Sequence, residues 1–443
     1  MKTSRSTVSI FSACGLSAEG IVRIARETGF SQRSGGKIAA PDLLRHFCTE
    51  AIKGTVSHND IAATMQAETD VSASRQAYWL RLDGDGLAFF KAILAEVIRT
   101  KVTPATWAFC PSYKRILIQD STIIQLPARL FACFSGVKNA TTTTCNARIQ
   151  GIYDLCAGRF VQFAIDPYSK NDLAAAPEIQ VEAGDLVLRD RGYFWLSIML
   201  ANKAKGADTI SRYKHNTVLY DVQTKTRIDL LKRLRADGQI DMQVLAGEDK
   251  DMPFRLMAVP VPEEVANLRR MKAKKETKGH APSEELLALM SWSVFITTIE
   301  NPSITIKEIM AFYGLRWRIE NIFKTWKSYF SFSKLHQVSE NQLRILLTAR
   351  LIIISLCFHH AYVPLCSAIL RHAKKQLSLM KFMRYVRQNP TQMLRLLLQR
   401  LWTKQLLDAV ARYCTYDQRK RRNFVDNVHA LFADLATTPA PLA

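Results

Sequence analysis

Two short apolar runs, each ending on an aspartate, limit most strongly what this chain can become. Residues 115–118 (R-I-L-I) lead through Gln119 to Asp120, and residues 186–188 (L-V-L) lead through Arg189 to Asp190. Runs this short and apolar, bounded by polar and turn residues, predict buried strands. Between them, residues 148–153 and 159–165 are β-rich and flank Asp154-Leu155-Cys156-Ala157-Gly158, a hairpin signal. After Asp190 a helical pattern covers 194–203, and a further strand-like run covers 208–213. A hairpin followed by strands that alternate with helices predicts an α/β fold, a mixed sheet with helices on its faces.

The two aspartates carry chemical meaning in that frame. An ionised carboxylate beside a core strand is costly unless it is paired or bound to a metal. Parallel strands also bring their C-terminal ends to the ligand-binding crevice of such sheets. A carboxylate pair there predicts a divalent-metal site. Each aspartate alone also reads as an ordinary strand-end residue, and Asp190-Arg191-Gly192 is itself a turn sequence.

The flanks differ from the middle. The first hundred residues read as mostly helical. Residues 59–68 and 74–82 form two helical patterns around a turn at 69–72, either a helix-turn-helix or a plain helical hairpin. Arg75, Gln76, Tyr78 and Arg81 in the second are residue types that touch DNA. Residues 216–299 read as a partly β insertion, with strand-like runs at 218–222, 239–244 and 254–261 and a basic run at 269–278 that suggests an exposed loop or helix end. Another β-like run covers 293–298. Residues 306–330 form one long helical pattern, and helices follow to a tail containing Pro439 and Pro441. Residues 351–370 hold no formal charge. They read as a buried helix pair broken near Pro364 rather than a membrane span, so no membrane partner is expected.

Charge narrows the function. Lys and Arg number 61 against 39 Asp and Glu, a net +22, of which residues 311–443 carry +15. Such a surplus points to a polyanion, above all nucleic acid, with a solvated basic surface as the plainer reading. The nine cysteines are odd in number and include no C-x-x-C pair, so neither a disulfide framework nor a zinc site is suggested and a reducing cytosol fits. The first twenty residues do not form a convincing signal peptide.

The helical run near residue 320 is the most informative. Tyr313, Arg316, Glu320, Lys324 and Lys327 fall within an arc of roughly 80° on a continuous helix. Phe312, Leu315, Ile319, Ile322, Phe323, Trp326 and Phe330 fall on the other side. The polar stripe reads either as a solvated face with i,i+4 pairs or as a phosphate-gripping face that holds one metal-ligand carboxylate.

Residues 313–327 (Y-G-L-R-W-R-I-E-N-I-F-K-T-W-K) match Y-x2-R-x3-E-x6-K, and the chain thereby resembles the bacterial cut-and-paste DDE transposases of the insertion-sequence-four type. Asp120 and Asp190 stand where that family has its other acids, 70 residues apart, and 130 residues separate Asp190 from Glu320. The resemblance implies a ribonuclease-H-like catalytic core over 105–340, interrupted by a mostly β insertion at 216–299. A helical DNA-binding region at 1–104 and a helical C-terminal region at 341–443, used for dimerisation, would flank it. Asp120, Asp190 and Glu320 would hold two Mg2+ ions, with Mn2+ a possible substitute. Trp292 would stack on a flipped base, and Tyr313 and Arg316 would hold that base's phosphate. Lys324 and Lys327 would grip the backbone. Arg212 and Lys214, in Arg212-Tyr213-Lys214-His215, would form a DNA-contacting turn. The partners implied are double-stranded DNA, both the element's terminal inverted repeats and the target, and a second copy of the chain. The setting implied is the bacterial cytoplasm and nucleoid. The reaction implied is excision and strand transfer through a hairpin intermediate. A catalytically inactive DNA-binding regulator and a nuclease without strand transfer are the alternatives.

Overall fold

The computed structural model describes residues 10–32, 36–54, 56–99, 113–138, 143–171, 175–276, 281–332, 335, 338–388 and 402–416. In chain order the N-terminal helices are α1 (Ala18–Glu27), α2 (Ala40–Ala51), α3 (His58–Thr69), α4 (Arg75–Arg81) and α5 (Gly86–Arg99). Then come β1 (Arg115–Gln125), β2 (Ser135–Lys138), β3 (Thr143–Asp154), β4 (Arg159–Pro167), β5 (Asp185–Arg189), α6 (Leu196–Ala204) and β6 (Asp208–Arg212). Next are β7 (Leu219–Asp221), α7 (Leu230–Asp237), β8 (Ile240–Ala246), β9 (Met252–Pro260), α8 (Glu263–Glu276), α9 (Glu284–Leu289) and β10 (Trp292–Thr297). The chain continues through α10 (Ile306–Gly314), α11 (Trp317–Tyr329), α12 (Glu340–Ser355), α13 (Val363–Ala373), α14 (Leu379–Gln388) and α15 (Lys404–Tyr413). The tail with Pro439 and Pro441 lies outside the described residues.

Two compact units form. Among the described residues, one comprises those within 10–99, 121–177 and 320–416; the other comprises those within 113–120 and 178–319. β1 and α11 each contribute residues to both.

In the first unit β3 and β4 form the expected antiparallel hairpin, closing at Asp154↔Arg159. Asp154 makes the turn by accepting the Cys156 and Ala157 N–H groups on Oδ1, and Gly158 supplies the left-handed φ of +65°. Phe160, Phe163, Phe323, Trp326 and Phe332 pack together on this hairpin. A Cβ on Gly151 would stand 2.9 Å from the Phe160 ring. The residue must therefore be glycine for that ring to lie flat on the strand. The helices pack around α12, whose Arg350 is fully buried and donates to the carbonyls of Ala51 and Gly54 at 2.8 Å each.

Two expectations change here. The apolar stretch is not a helix pair broken at Pro364. α12 runs through a π-helical turn, Leu356–Tyr362, into α13, with Pro364 in the first turn of α13. A wide turn absorbs the proline because it lacks an N–H and cannot complete a regular α ladder. Glu340–Ala373 is long and apolar enough to cross a bilayer, but its most apolar window is 89% buried inside the protein. In the α3–α4 pair, Tyr78 is fully buried and Arg81 donates to the Phe30 carbonyl at 3.2 Å. Of the four residues singled out for DNA, only Arg75 and Gln76 face outward.

In the second unit β1 pairs parallel with β5 through Gln119↔Arg189, and β5 pairs parallel with β6 through Leu188↔Ile210. β10 then joins β6 antiparallel, and β9, β8 and β7 follow in that order, all antiparallel. Leu234, Val244, Phe254, Leu256 and Ile296 form a core under this extension. The insertion is partly β, as its residues read, rather than the mostly β one that the resemblance implied, since α7, α8 and α9 accompany its strands. The basic run at 269–278 belongs largely to the C-terminal part of α8, the helix end rather than the loop of the two readings. Parallel β5 and β6 on one side of β1, and the β3–β4 hairpin that follows β1 in the chain, give the α/β protein its ribonuclease-H-like core.

Candidate active site

The site is built from strand ends upward. β1–β5 pairing ends at Gln119↔Arg189, so Asp120 and Asp190 come next at the same level on neighbouring parallel strands. β1 itself does not stop at Asp120, as its apolar run suggested, but continues to Gln125. Asp190 leaves β5 in an extended conformation (φ −75°, ψ 165°) and starts the short 3-10 turn Arg191–Tyr193. The sheet thus delivers both carboxylates to the crevice end of the parallel strands, as this architecture does for ligands generally.

Both aspartates are already held. The Tyr313 hydroxyl donates to Asp190 Oδ1 at 3.4 Å, and the Arg316 guanidinium reaches Asp120 Oδ2 at 3.3 Å. The stripe described above therefore does not face outward along one continuous helix. The pattern at 306–330 breaks where α10 ends and α11 begins, through 3-10 hydrogen bonds such as Arg316 N to Tyr313 O. The break turns Tyr313 and Arg316 inward, to 7% and 5% exposure. Lys324 and Lys327, farther along α11, are exposed. The Arg316 guanidinium also lies 5.1 Å from the ring of Trp317, which is 55% exposed.

α10 is positioned strongly enough to aim Tyr313. A reciprocal capping box between Thr305 and Glu308 starts the helix. Phe312 packs against Tyr113 and Tyr313 against Phe295. Burial, and then the Asp190 charge, push the Tyr313 hydroxyl up to about 12, so it stays a proton donor toward Asp190 at neutral pH.

The remaining expected residues are distributed as follows. Arg212 ends β6 and lies over the Phe295 ring at 5.3 Å, while Lys214 is exposed just beyond. Trp292 opens β10, donates its indole N–H to the Gly238 carbonyl at 3.0 Å and packs on the insertion core. Its packing and hydrogen bond account for it in this conformation. Glu320 lies in α11, one turn after Arg316, and belongs to the other compact unit. Among the described residues no three His, Cys, Asp or Glu side chains group closely enough to hold a metal.

Sequence reasoning missed two cations near Asp190. Arg191 follows it directly and is exposed. Arg269 sits on α8 and donates to Trp292 O at 3.1 Å and Ser293 Oγ at 3.0 Å. The signal for α8 was present: Glu263 and Glu264 at its start and Lys274 and Lys275 at its end complement the helix dipole.

Comparison with known proteins agrees with this geometry. Residues 111–356 match the family model described as the transposase DDE domain. The transposase for insertion sequence element IS231D of Bacillus thuringiensis subsp. finitimus is 27% identical over 391 residues, covering 80% of this chain and 80% of that protein. The transposase for IS1151 of Clostridium perfringens is 26% identical over 369 residues, 75% of this chain and 76% of that protein. The solved piggyBac transposase synaptic complex with hairpin DNA is similar at a TM-score of 0.47 and 9% identity, over 100% of this chain and 92% of that one. A sheet that sets two aspartates side by side, within a stretch that matches this family over more than half the chain, leads to one conclusion: the protein belongs to the transposase DDE-domain family and is a DNA transposase.

Proposed function

We propose that this transposase excises an insertion sequence and joins it to target DNA by metal-dependent phosphoryl transfer, with Asp120, Asp190 and Glu320 as its acidic triad. One observation carries the reading: Asp120 and Asp190 end up level on neighbouring parallel strands, each touched by a residue of the Y-x2-R-x3-E-x6-K signature. Carboxylate oxygens are the hard donors that Mg2+ and Mn2+ take, so the donor chemistry fits, and Arg316 already sets a positive charge against Asp120. A bound pair of divalent ions would supply an activated water and stabilise the leaving oxygen of an in-line displacement. Glu320 would complete the set from the helix that follows Arg316.

The chain's own groups do the rest. Tyr313, protonated and donating to Asp190, fixes that carboxylate's orientation. Arg316, released from Asp120, would grip a backbone phosphate through its planar fork. Lys324 and Lys327, exposed on α11, would hold the strand nearby. Paired element ends require two active sites, which supports a homodimer on DNA. The relatives named as insertion-sequence transposases of Bacillus and Clostridium support a bacterial, cytoplasmic setting. A hairpin intermediate with Trp292 on a flipped base would require its indole to leave Gly238.

The test is excision from a plasmid carrying the chain's own coding sequence with its flanking DNA, incubated with protein and Mg2+. Excised linear element and joined products are expected, and a denaturing gel separates hairpin ends from open ones. DNA binding without breakage would favour a regulator, and breakage without joining a nuclease.

A further inference from the structure

Three guanidinium groups gather around the Asp190 end of the sheet, and they come from three separate elements. β5–β6 pairing places Leu188 opposite Ile210, so Arg212 lies level with Asp190 on the next strand. Arg191 is the residue after Asp190, exposed on the 3-10 turn. Arg269 comes from α8 in the insertion, and its bonds to Trp292 and Ser293 bring it to the start of β10. That start lies beside the end of β6, where Tyr213 donates to Val294 O and Arg212 faces Phe295.

None of the three guanidiniums has an acidic partner within 4.0 Å among the described residues. Their proximity is felt as repulsion. Burial first, and Arg269 next, push Arg212 down to about 10. Burial first, and Arg191 next, lower Arg269 as well. Asp190 offsets that repulsion only in part at Arg212, and cations gathered this closely carry an electrostatic cost that a further anion would relieve. Arg269 spends only part of its five donors on Trp292 and Ser293, so it is both fixed and able to donate further.

We infer that Arg191, Arg212 and Arg269 form a binding site for one backbone phosphate of a DNA strand lying beside Asp190, with Arg269 making the insertion helix part of the DNA-binding machinery. This deepens the transposase reading and rests on it, because a strand cut at Asp120 and Asp190 must run past this point. Guanidinium forks suit a phosphate's oxygens, and an anion bridging the three would relieve their repulsion.

The test is binding of a short fluorescent duplex of mixed sequence, followed by anisotropy across a range of salt concentrations. Variants are Arg191→Ala, Arg269→Gln and the charge-preserving Arg269→Lys, with thermal melts as a folding control. Arg191→Ala and Arg269→Gln are each expected to weaken binding and to reduce the slope of log affinity against log salt by about one. Arg269→Lys should keep the wild-type slope. Unchanged slopes in Arg191→Ala and Arg269→Gln overturn the site. If Arg269→Gln melts early, Arg191→Ala decides alone, since its side chain makes no hydrogen bond or ion pair among the described residues. The excision assay separates the two readings. Wild-type slopes with intact cleavage sink this site and leave the transposase mechanism standing. Reduced slopes in a protein that never cuts DNA keep the site and sink the mechanism.

Discussion

Single residues in this protein show how far charge depends on its partner. Asp185 is 1% exposed, yet Arg115 grips it through Nε at 2.9 Å and the Glu182 N–H donates to it at 2.7 Å. Removing one member of such a pair leaves the other charge poorly compensated, so Asp185→Ala should cost about 3 kcal/mol in urea unfolding. His46 gives a pH prediction. Burial, then the neighbouring Arg45, hold its imidazole below the usual 6.5. The unfolded chain therefore takes up a proton that the folded chain resists, and stability should fall as pH drops from about 7 to about 5. His46→Gln should lose less stability over that window in thermal melts; an equal loss would remove His46 from the account. At this scale the sequence was informative about identity and poor on direction. Asp120 and Asp190 stood out because each follows an apolar run. That Tyr313 and Arg316 turn inward onto them could not be read, because helical periodicity assumes an unbroken helix and the chain breaks it between Gly314 and Trp317.

Elements were more legible than their joints. Every strand-like run between residues 115 and 298 forms a strand, since short apolar runs between turn residues have few other ways to be buried. The basic run in α8 read as either an exposed loop or a helix end, and not as a whole helix, because its length is mostly charged and only Ala266 is fully buried, which leaves little apolar stripe to detect. The π turn before α13 left no simple signal beyond Pro364. One element-level prediction follows from α10. The Thr305–Glu308 capping box starts the helix that aims Tyr313. Thr305→Ala should cost about 1 kcal/mol of stability. Because Tyr313 lies at the far end of that helix, DNA cleavage should fall by more than the stability loss explains. Cleavage unchanged in a folded variant would detach α10 from catalysis.

For the whole molecule, the net charge of +22 was the clearest property in the sequence, while the division into two units was not. The division passes through β1 and α11, and no linker composition marks a boundary inside a regular element. The charge itself predicts duplex binding that weakens steeply with salt, because each neutralised phosphate releases counterions. Weak dependence on salt would assign the surplus to an ordinary solvated surface. The central claim concerns three acids acting together, and its most direct measurement is Mg2+-dependent strand cleavage by Asp120→Asn, Asp190→Asn and Glu320→Gln. Each substitution keeps size and removes charge. The account predicts that all three fold and bind DNA like the parent and cut at background level. Near-normal cutting by any one of them would contradict it.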